Sequence, residues 1–304
     1  MMAHTIVVGV DDSSPSLAAL RWAARRAVAT GQRIRILHVS GPEAVSQSAE
    51  AGGALRRARE ILRTEFVCQG HRLDIETRLV FGRPLPALVE ASLDASLVVV
   101  GTHKTGFVQG RVFGSRFLQL PALAHSDVAF VPDSSSLERE GIVVGVDDSS
   151  YGRAALAFAA SEAERSRAEL TLVRAWKGVA PAHEFAPASG AEGALARAER
   201  LLDAAAERLR GSHPGLTIRR RILQRATAEA LVEASGRCAL LVVGASGEGA
   251  QLGALGPVVH DTLFNLVAPT IVVRTGFDAA TEIALAGAAP GERMTQAAGG
   301  RSAG

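Results

Sequence analysis

A nine-residue segment, IVVGVDDSS, occurs at residues 6–14 and returns unchanged at residues 142–150. A repeat of this length, 136 positions apart, indicates a duplicated structural unit. Each copy begins with five apolar or small residues and ends in two acids and two serines, which predicts a buried strand followed by the start of a helix. Because the strand has no polar alternation, both of its faces are expected to be covered, as in the centre of a parallel sheet.

The segments that follow the two copies predict the same order of elements in each half. Strands are predicted at residues 6–10, 34–39, 73–80, 97–100 and 128–131, and again at 142–146, 170–175, 216–223, 240–243 and 270–273. Helical patterns lie between them, at residues 17–30, 54–67, 84–93 and from 115 onward, and at 151–165, 193–209 and 228–234. This alternation predicts an α/β protein with two similar, doubly wound, five-stranded parallel sheets of the Rossmann-like type.

A polar segment without apolar periodicity separates the two halves. We therefore expect a first domain at residues 1–135, a linker at 136–140 and a second domain at 141–275. Beyond that point the chain is rich in Ala and Gly and poor in large apolar side chains, so residues 276–304 are predicted to be a disordered tail.

Charge and cysteine content exclude several classes of protein. The chain carries 33 basic and 31 acidic residues, with the arginines scattered rather than gathered, so we expect no nucleic-acid partner. Cys68 and Cys238 are the only cysteines and have no metal-ligand spacing, which argues against a disulfide framework or a zinc site. No signal peptide or membrane-length apolar span is evident, and we expect a cytoplasmic protein without a membrane partner.

Two loops that follow predicted strands are the candidates for a binding site. In an open parallel sheet, ligands bind beyond the carboxyl ends of the strands, where the winding direction reverses. One loop begins at Asp11, and the other runs from Gly101 to a Gly114-Ser115 step at a helix start. Unpaired backbone N–H groups at such a helix start favour an anion. Lys104, one of two lysines in the chain, lies inside this second loop.

These residues resemble those of the universal stress protein family in its tandem two-domain form. The first strand of the family ends in a V-D step that contacts the nucleoside, here Val10-Asp11. ATP-binding members carry G-x2-G-x9-G-(S/T) after the fourth strand. The first half matches this pattern with Gly101 and Gly114-Ser115, but has Lys104 at the second glycine.

The resemblance implies a nucleotide α-hydrolase-like fold, with the two domains facing each other as a pseudo-dimer whose last strands pair, and it leaves room for a homodimer of chains. It implies a stress-response regulatory protein that binds ATP in the first half, with Mg²⁺ accompanying the nucleotide. It does not imply an enzyme, beyond slow incidental ATP hydrolysis. The nucleotide-binding residues that it implies are Val10, Asp11, Val39, Gly101, His103, Lys104, Gly114, Ser115 and Arg116.

The second half departs further from the family pattern. Gly244 and Gly247 match it, but Gly256 arrives one residue early and Pro257 replaces the hydroxyl residue. Proline offers a phosphate neither an N–H nor a hydroxyl group, although it suits the first position of a helix. We therefore expect the second half to carry a degenerate site, either structural or specific for something less anionic, in which the space for an anion has been filled.

Each of these residues can also be explained by a purely structural role. Asp11 is also a good helix cap, Gly101 a strand-end turn, and Val39 a core residue. His103 is equally suited to a solvated loop, and Arg116 to a pair with a neighbouring carboxylate. The alternative function is accordingly a scaffold of the same fold, which binds no nucleotide and acts through protein partners that the sequence does not identify.

Overall fold

The structure is a computed structural model and describes residues 5–41, 48–102, 117–133, 139–176, 189–246 and 255–274. The strands of the first half are β1 (Thr5–Gly9), β2 (Arg33–Ser40), β3 (Ile75–Phe81), β4 (Leu97–Thr102) and β5 (Asp127–Pro132). Its helices are α1 (Ser14–Thr30), α2 (Ser48–Glu65), α3 (Pro84–Ala91) and α4 (Leu120–Leu123). The strands of the second half are β6 (Ile142–Gly145), β7 (Leu170–Trp176), β8 (Ile218–Gln224), β9 (Leu240–Gly244) and β10 (Thr270–Val273). Its helices are α5 (Ser150–Ser166), α6 (Ser189–Ser212), α7 (Thr227–Ala234) and α8 (Pro257–Phe264).

The ten strands form one continuous sheet in the order β3-β2-β1-β4-β5-β10-β9-β6-β7-β8. Neighbouring strands are parallel within each half, and the halves join where β5 and β10 pair antiparallel, with Ala129 opposite Ile271. The predicted α/β class, the two parallel five-stranded units and the pairing of their last strands are confirmed. The two predicted sheets are thus halves of a single larger one.

Helices cover both faces of the sheet, as its apolar central strands require. Along β1, Ile6 and Val8 face the layer of α1, α2, α5 and α6, whereas Val7 faces the layer of α3, α4, α7 and α8. All three side chains are fully buried. Each half therefore contributes to two cores, and both cores extend across the β5–β10 junction.

The serines of the repeated segment begin the first helix of each half. Ser13 is the N-cap of α1 and accepts a hydrogen bond from the backbone N–H of Ser16, and Ser149 does the same for Gly152 in α5. The predicted end of α1 is confirmed, since Gly31 follows it with a left-handed φ of 67°. The capping side chains thus fix where α1 and α5 leave the carboxyl ends of β1 and β6.

The largest differences from the prediction are in three elements. Helix α2 begins at Ser48, six residues earlier than predicted, and ends at Glu65 before a short 3₁₀ turn. In place of a fourth helix from residue 115, the described chain has a 3₁₀ turn over Phe117–Gln119 and the four-residue α4. Pro121 lies in the first turn of α4, where its missing N–H prevents a longer helix from running through it. Helix α8, not among the predicted helices, begins at Pro257.

Across these described ranges, none of the helices combines the length and apolar character needed to cross a bilayer.

Candidate functional site

A cavity of about 260 Å³ lies at the carboxyl ends of β1, β2, β4 and β5. The strand order places β2 on one side of β1 and β4 on the other, so the winding direction reverses at this point. Four of the residues implied by the family resemblance line the cavity: Val10, Asp11, Val39 and Gly101. The other five, His103, Lys104, Gly114, Ser115 and Arg116, lie outside the described residues.

Apolar side chains form most of the described cavity wall. Val39 from β2 and Val100 from β4 meet Leu88 from α3 and Phe130 from β5. Leu88 and Phe130 were not recognised as site residues, because in sequence they look like ordinary core positions. The available signal for Leu88 was the segment LVEAS, which occurs at residues 88–92 and again at 231–235. This wall suits a flat apolar ring.

Asp11 lies at the polar edge of the cavity and organises the turn between β1 and α1. Its Oδ1 accepts hydrogen bonds from the backbone N–H of Ser13 at 3.1 Å and from the Ser13 hydroxyl at 2.6 Å. Burial alone would raise the pKa of Asp11, but the hydrogen bonds from Ser13 and Ser16 outweigh it and lower the pKa below its ordinary value. The carboxylate is therefore held ionised beside the cavity.

The second half repeats this arrangement. Oδ1 of Asp147 accepts from the backbone N–H of Ser149 at 3.1 Å and from its hydroxyl at 2.6 Å. Asp11 is thus not the helix cap itself, as its structural reading supposed. It holds the capping serine in place, because the cap position falls two residues later, at Ser13.

Gly101 allows β4 to pass against the first turn of α1. A Cβ atom at this position would lie 2.2 Å from the carbonyl oxygen of Pro15, far inside van der Waals contact. Gly244 has the same relation to Tyr151 in the second half, where a Cβ would lie 2.7 Å from that residue's carbonyl carbon. Gly101 lies within β4, paired with Val131 of β5, so it is a close-approach glycine rather than a strand-end turn.

The rim of the cavity is formed by the two ends of the loop whose middle is not described. Thr102, the last residue of β4, and Phe117, where the described chain resumes, both line it. The last described residue before Lys104 and the first described residue after the Gly114-Ser115 step therefore both lie at this cavity.

One lining residue comes from the other half of the chain. Leu263, on α8, reaches the cavity of the first half and is buried. Its contribution depends on the junction between β5 and β10, which no local sequence pattern describes.

The expectation that the second half has filled the equivalent space is wrong. A cavity of about 260 Å³ lies at the carboxyl ends of β6, β7 and β9. Several residues around it are too small to fill it: Gly145, Gly152, Ala175, Gly244, Ser246 and Gly256. Pro257 occupies the first turn of α8 beside this cavity, as its helix-start preference predicted.

The two cavities differ in chemistry rather than in size. Arg174 lines the second cavity and donates from Nη1 to the carbonyl oxygen of Val146 at 3.1 Å. The first half has His38 at this position, with Nδ1 2.7 Å from the carbonyl oxygen of Val10.

In the described part of the chain, no three His, Cys, Asp or Glu side chains come together as a metal site.

The fold and the cavities together define a duplicated Rossmann-like α/β protein, with a candidate ligand site at the strand ends of each half. The profile of the universal stress protein family matches residues 2–132 and again 138–274. The chain therefore belongs to the universal stress protein family.

Its relatives have the same tandem length. Universal stress protein Rv2005c of Mycobacterium tuberculosis is 32% identical over 294 residues, which cover 89% of this chain and 97% of the relative. Universal stress protein Rv2623 of the same organism is 31% identical, covering 88% and 96%. A solved universal stress protein from Archaeoglobus fulgidus covers 90% of this chain and 99% of its own, with a TM-score of 0.63 at 15% identity. At that identity the likeness supports the fold alone.

Proposed function

We propose that the first-half cavity binds an adenine nucleotide, ATP, and that the protein acts as a nucleotide-responsive regulator in stress rather than as an enzyme. The observation that carries this proposal is the cavity itself: an apolar wall and an ionised aspartate meet at the switch point of the sheet, beside the ends of a loop that carries Lys104. We propose the cytoplasm as its location.

The described residues fit the nucleoside part of such a ligand. Val39, Leu88 and Phe130 offer apolar surface to a base. The ionised Asp11 offers an acceptor to a ribose hydroxyl. Phosphates would extend toward the loop, where Lys104, Ser115 and the other loop residues implied by the family resemblance would hold them. Mg²⁺ would accompany the phosphates, which supply the oxygen ligands it prefers.

The scaffold function is the second candidate, and one observation favours it. Asp11 and Asp147 make the same hydrogen bonds at the same distances, so the V-D step has a structural role in both halves that needs no ligand. Binding measurements separate the two candidates, because only the first requires a nucleotide.

The decisive experiment fills one cavity at a time. Val39→Trp places a large ring in the first cavity, and Ala175→Trp is the matched control, since Ala175 occupies the equivalent position in β7 and lines the second cavity. Titration calorimetry with ATP is expected to show binding to the unmodified protein and to the Ala175 variant, and none to the Val39 variant. The reverse pattern would move the site to the second half. If ATP does not bind the unmodified protein, the result favours the scaffold function.

The phosphate contacts are tested separately. Lys104→Ala is expected to weaken the binding of ATP by about tenfold and to leave the binding of adenosine unchanged. The variant loses a charged hydrogen bond to phosphate but keeps the contacts to the base. Equal losses for both ligands would show that Lys104 does not hold the phosphates.

The division of the chain remains part of the proposal: a nucleotide-binding domain at residues 1–135, a linker at 136–140, a second domain with a degenerate site at 141–275, and a tail at 276–304 that is not needed for folding. A chain ending at residue 275 is expected to bind ATP and to unfold as the full chain does. A large loss of stability would show that the tail packs against the domains.

A further inference from the structure

A groove of about 800 Å³ lies between the two halves, away from both strand-end cavities. The second half of α1 forms one side, and the end of α5 together with the starts of β6 and β9 forms the other. It shares no lining residue with the first cavity. Ser16 lines that cavity and Trp22 lines the groove, and their separation of six positions corresponds to roughly 9 Å along α1.

Among its described lining residues, the groove has twice as many arginines as acids. Six arginines face three glutamates. Arg26 and Arg165 share the carboxylate of Glu162, and Nε of Arg219 lies 3.2 Å from Oε1 of Glu169. These pairs leave the groove with a surplus of positive charge.

Two of the surplus cations lie on opposite sides of the groove. Arg25 belongs to α1, and Arg167 follows the end of α5. Within the described residues, neither guanidinium makes a hydrogen bond or a close ion pair with protein groups, although the Glu65 carboxylate acts on Arg25 electrostatically. Each therefore keeps its full set of donors for a ligand.

The duplication supplies an internal comparison, because the opposite side of the junction has the same backbone. Arg25 corresponds to Ser161 and Arg167 to Gly31, 136 positions away, and Arg219 corresponds to Glu76 at the matching place in the sheet. The surplus charge is therefore not required to pack α1 against α5, since the related side of the junction does without it.

Arg167 occupies a backbone conformation that glycine favours. Its φ is 52°, and Gly31, at the same place after α1, has a φ of 67°. A non-glycine residue in this region is strained, and such strain concentrates at functional positions. The second half keeps an arginine at a position where the first half has glycine, which adopts this conformation without strain.

We infer that this groove binds a multivalent phosphate anion, held between Arg25 of one half and Arg167 of the other. Guanidinium groups bind phosphate through two parallel hydrogen bonds, and the volume admits several linked phosphates. The shared chemistry is a phosphate chain, either inorganic polyphosphate or the phosphates of a nucleotide. A bound chain bridges the two halves and stabilises their pairing.

The test uses the full chain and inorganic tripolyphosphate as the probe. Calorimetry is expected to show tripolyphosphate binding in the groove, and the double variant Arg25→Ser/Arg167→Gly is expected to weaken this binding about tenfold or more. Both substitutions introduce the residue that the other half carries at the same position, so the variant is expected to fold. The control, Arg200→Ser/Arg208→Ser, removes the same charge from exposed positions on α6 and is expected to change affinity by less than about twofold.

The double variant Val39→Trp/Lys104→Ala separates this site from the nucleotide cavity, because it removes both the base contact and the lysine proposed to hold the phosphates there. Tripolyphosphate binding that survives in this variant supports the groove, even if no ATP binds the first cavity. In the same variant, competition by ATP identifies nucleotide phosphates as a source of the ligand, and lack of competition identifies inorganic polyphosphate. The inference is overturned if tripolyphosphate does not bind, if both arginine double variants weaken its binding equally, or if Val39→Trp/Lys104→Ala abolishes its binding.

Discussion

Arg26 and Glu162 occupy the same position in the two halves of this chain, 136 residues apart, and they form an ion pair with each other. Nη1 of Arg26 lies 2.6 Å from Oε2 of Glu162, and Nη2 lies 2.9 Å from Oε1. The Arg26 guanidinium also lies over the rings of Trp22 and Phe158, a second pair of equivalent positions. In a symmetric pair of identical halves, this position would face its own copy and bring like charges together. The duplication has replaced that repulsion with a complementary pair.

The first prediction concerns this pair, whose side chains are only 12% and 10% exposed. Arg26→Glu leaves two buried carboxylates face to face and is expected to lower the free energy of unfolding by about 3–5 kcal/mol. Adding Glu162→Arg restores the pair but deprives Arg165 of its partner, so we expect recovery of about half of the loss. Urea denaturation measures both. Arg63→Glu, in an exposed pair on α2, is the control and should change stability far less than Arg26→Glu does. No recovery in the double variant would refute the pairing.

The second prediction follows from the pKa of Glu162. Burial would raise that pKa, but the hydrogen bonds and charges of Arg26 and Arg165 outweigh it and lower the pKa below the ordinary 4.5. A carboxyl whose pKa is lower when folded stabilises the protein above the unfolded pKa, and the contribution disappears as pH falls toward the folded pKa. The stability difference between the unmodified protein and Glu162→Gln should therefore shrink as the pH falls below the ordinary carboxyl pKa of 4.5. Glu199→Gln, at an exposed position on α6, should show no such trend.

The third prediction tests the close approach of β4 to α1. Gly101→Ala puts a methyl group 2.2 Å from the Pro15 carbonyl oxygen, so the helix start must move away from the strand. We expect a loss of about 2–3 kcal/mol in the free energy of unfolding. Gly215→Ala, where a Cβ meets nothing within 4 Å, should stay within about 0.5 kcal/mol of the unmodified protein. Equal effects of the two substitutions would show that Gly101 is not sterically required.

The fourth prediction concerns the two cysteines. Cys238 is buried, and burial raises the pKa of its thiol to about 12, whereas Cys68 is exposed. Because the thiolate is the reactive form, a chromogenic disulfide reagent should modify one thiol rapidly in the native protein and both after denaturation. Cys68→Ser should remove the rapid phase. A rapid phase that persists in this variant would mean that Cys238 is accessible.

Local patterns predicted much of the fold. The repeated segment placed β1 and β6 and the starts of α1 and α5. The apolar run at residues 270–273 matches β10 at both ends, and α1 ends at Thr30 as predicted. These features follow from short-range chemistry: apolar periodicity, capping hydroxyls and a glycine that accepts a left-handed backbone. The candidate site was predicted in part, since Val10, Asp11, Val39 and Gly101 meet at one cavity as the family resemblance implied.

Other features depend on contacts between residues far apart in the chain. Leu263 reaches the first cavity only because β5 and β10 pair. The second cavity stays open because small residues from separate elements surround it, and the need for glycine at position 101 arises from the backbone of α1. Arg26 and Glu162 look like two unrelated surface charges until the fold brings the helices that carry them together. Periodicity and capping act within one element and can be recognised in the residues themselves. Steric fit and charge pairing between the halves arise only when the chain has folded, because they depend on distances in space that spacing along the chain does not encode.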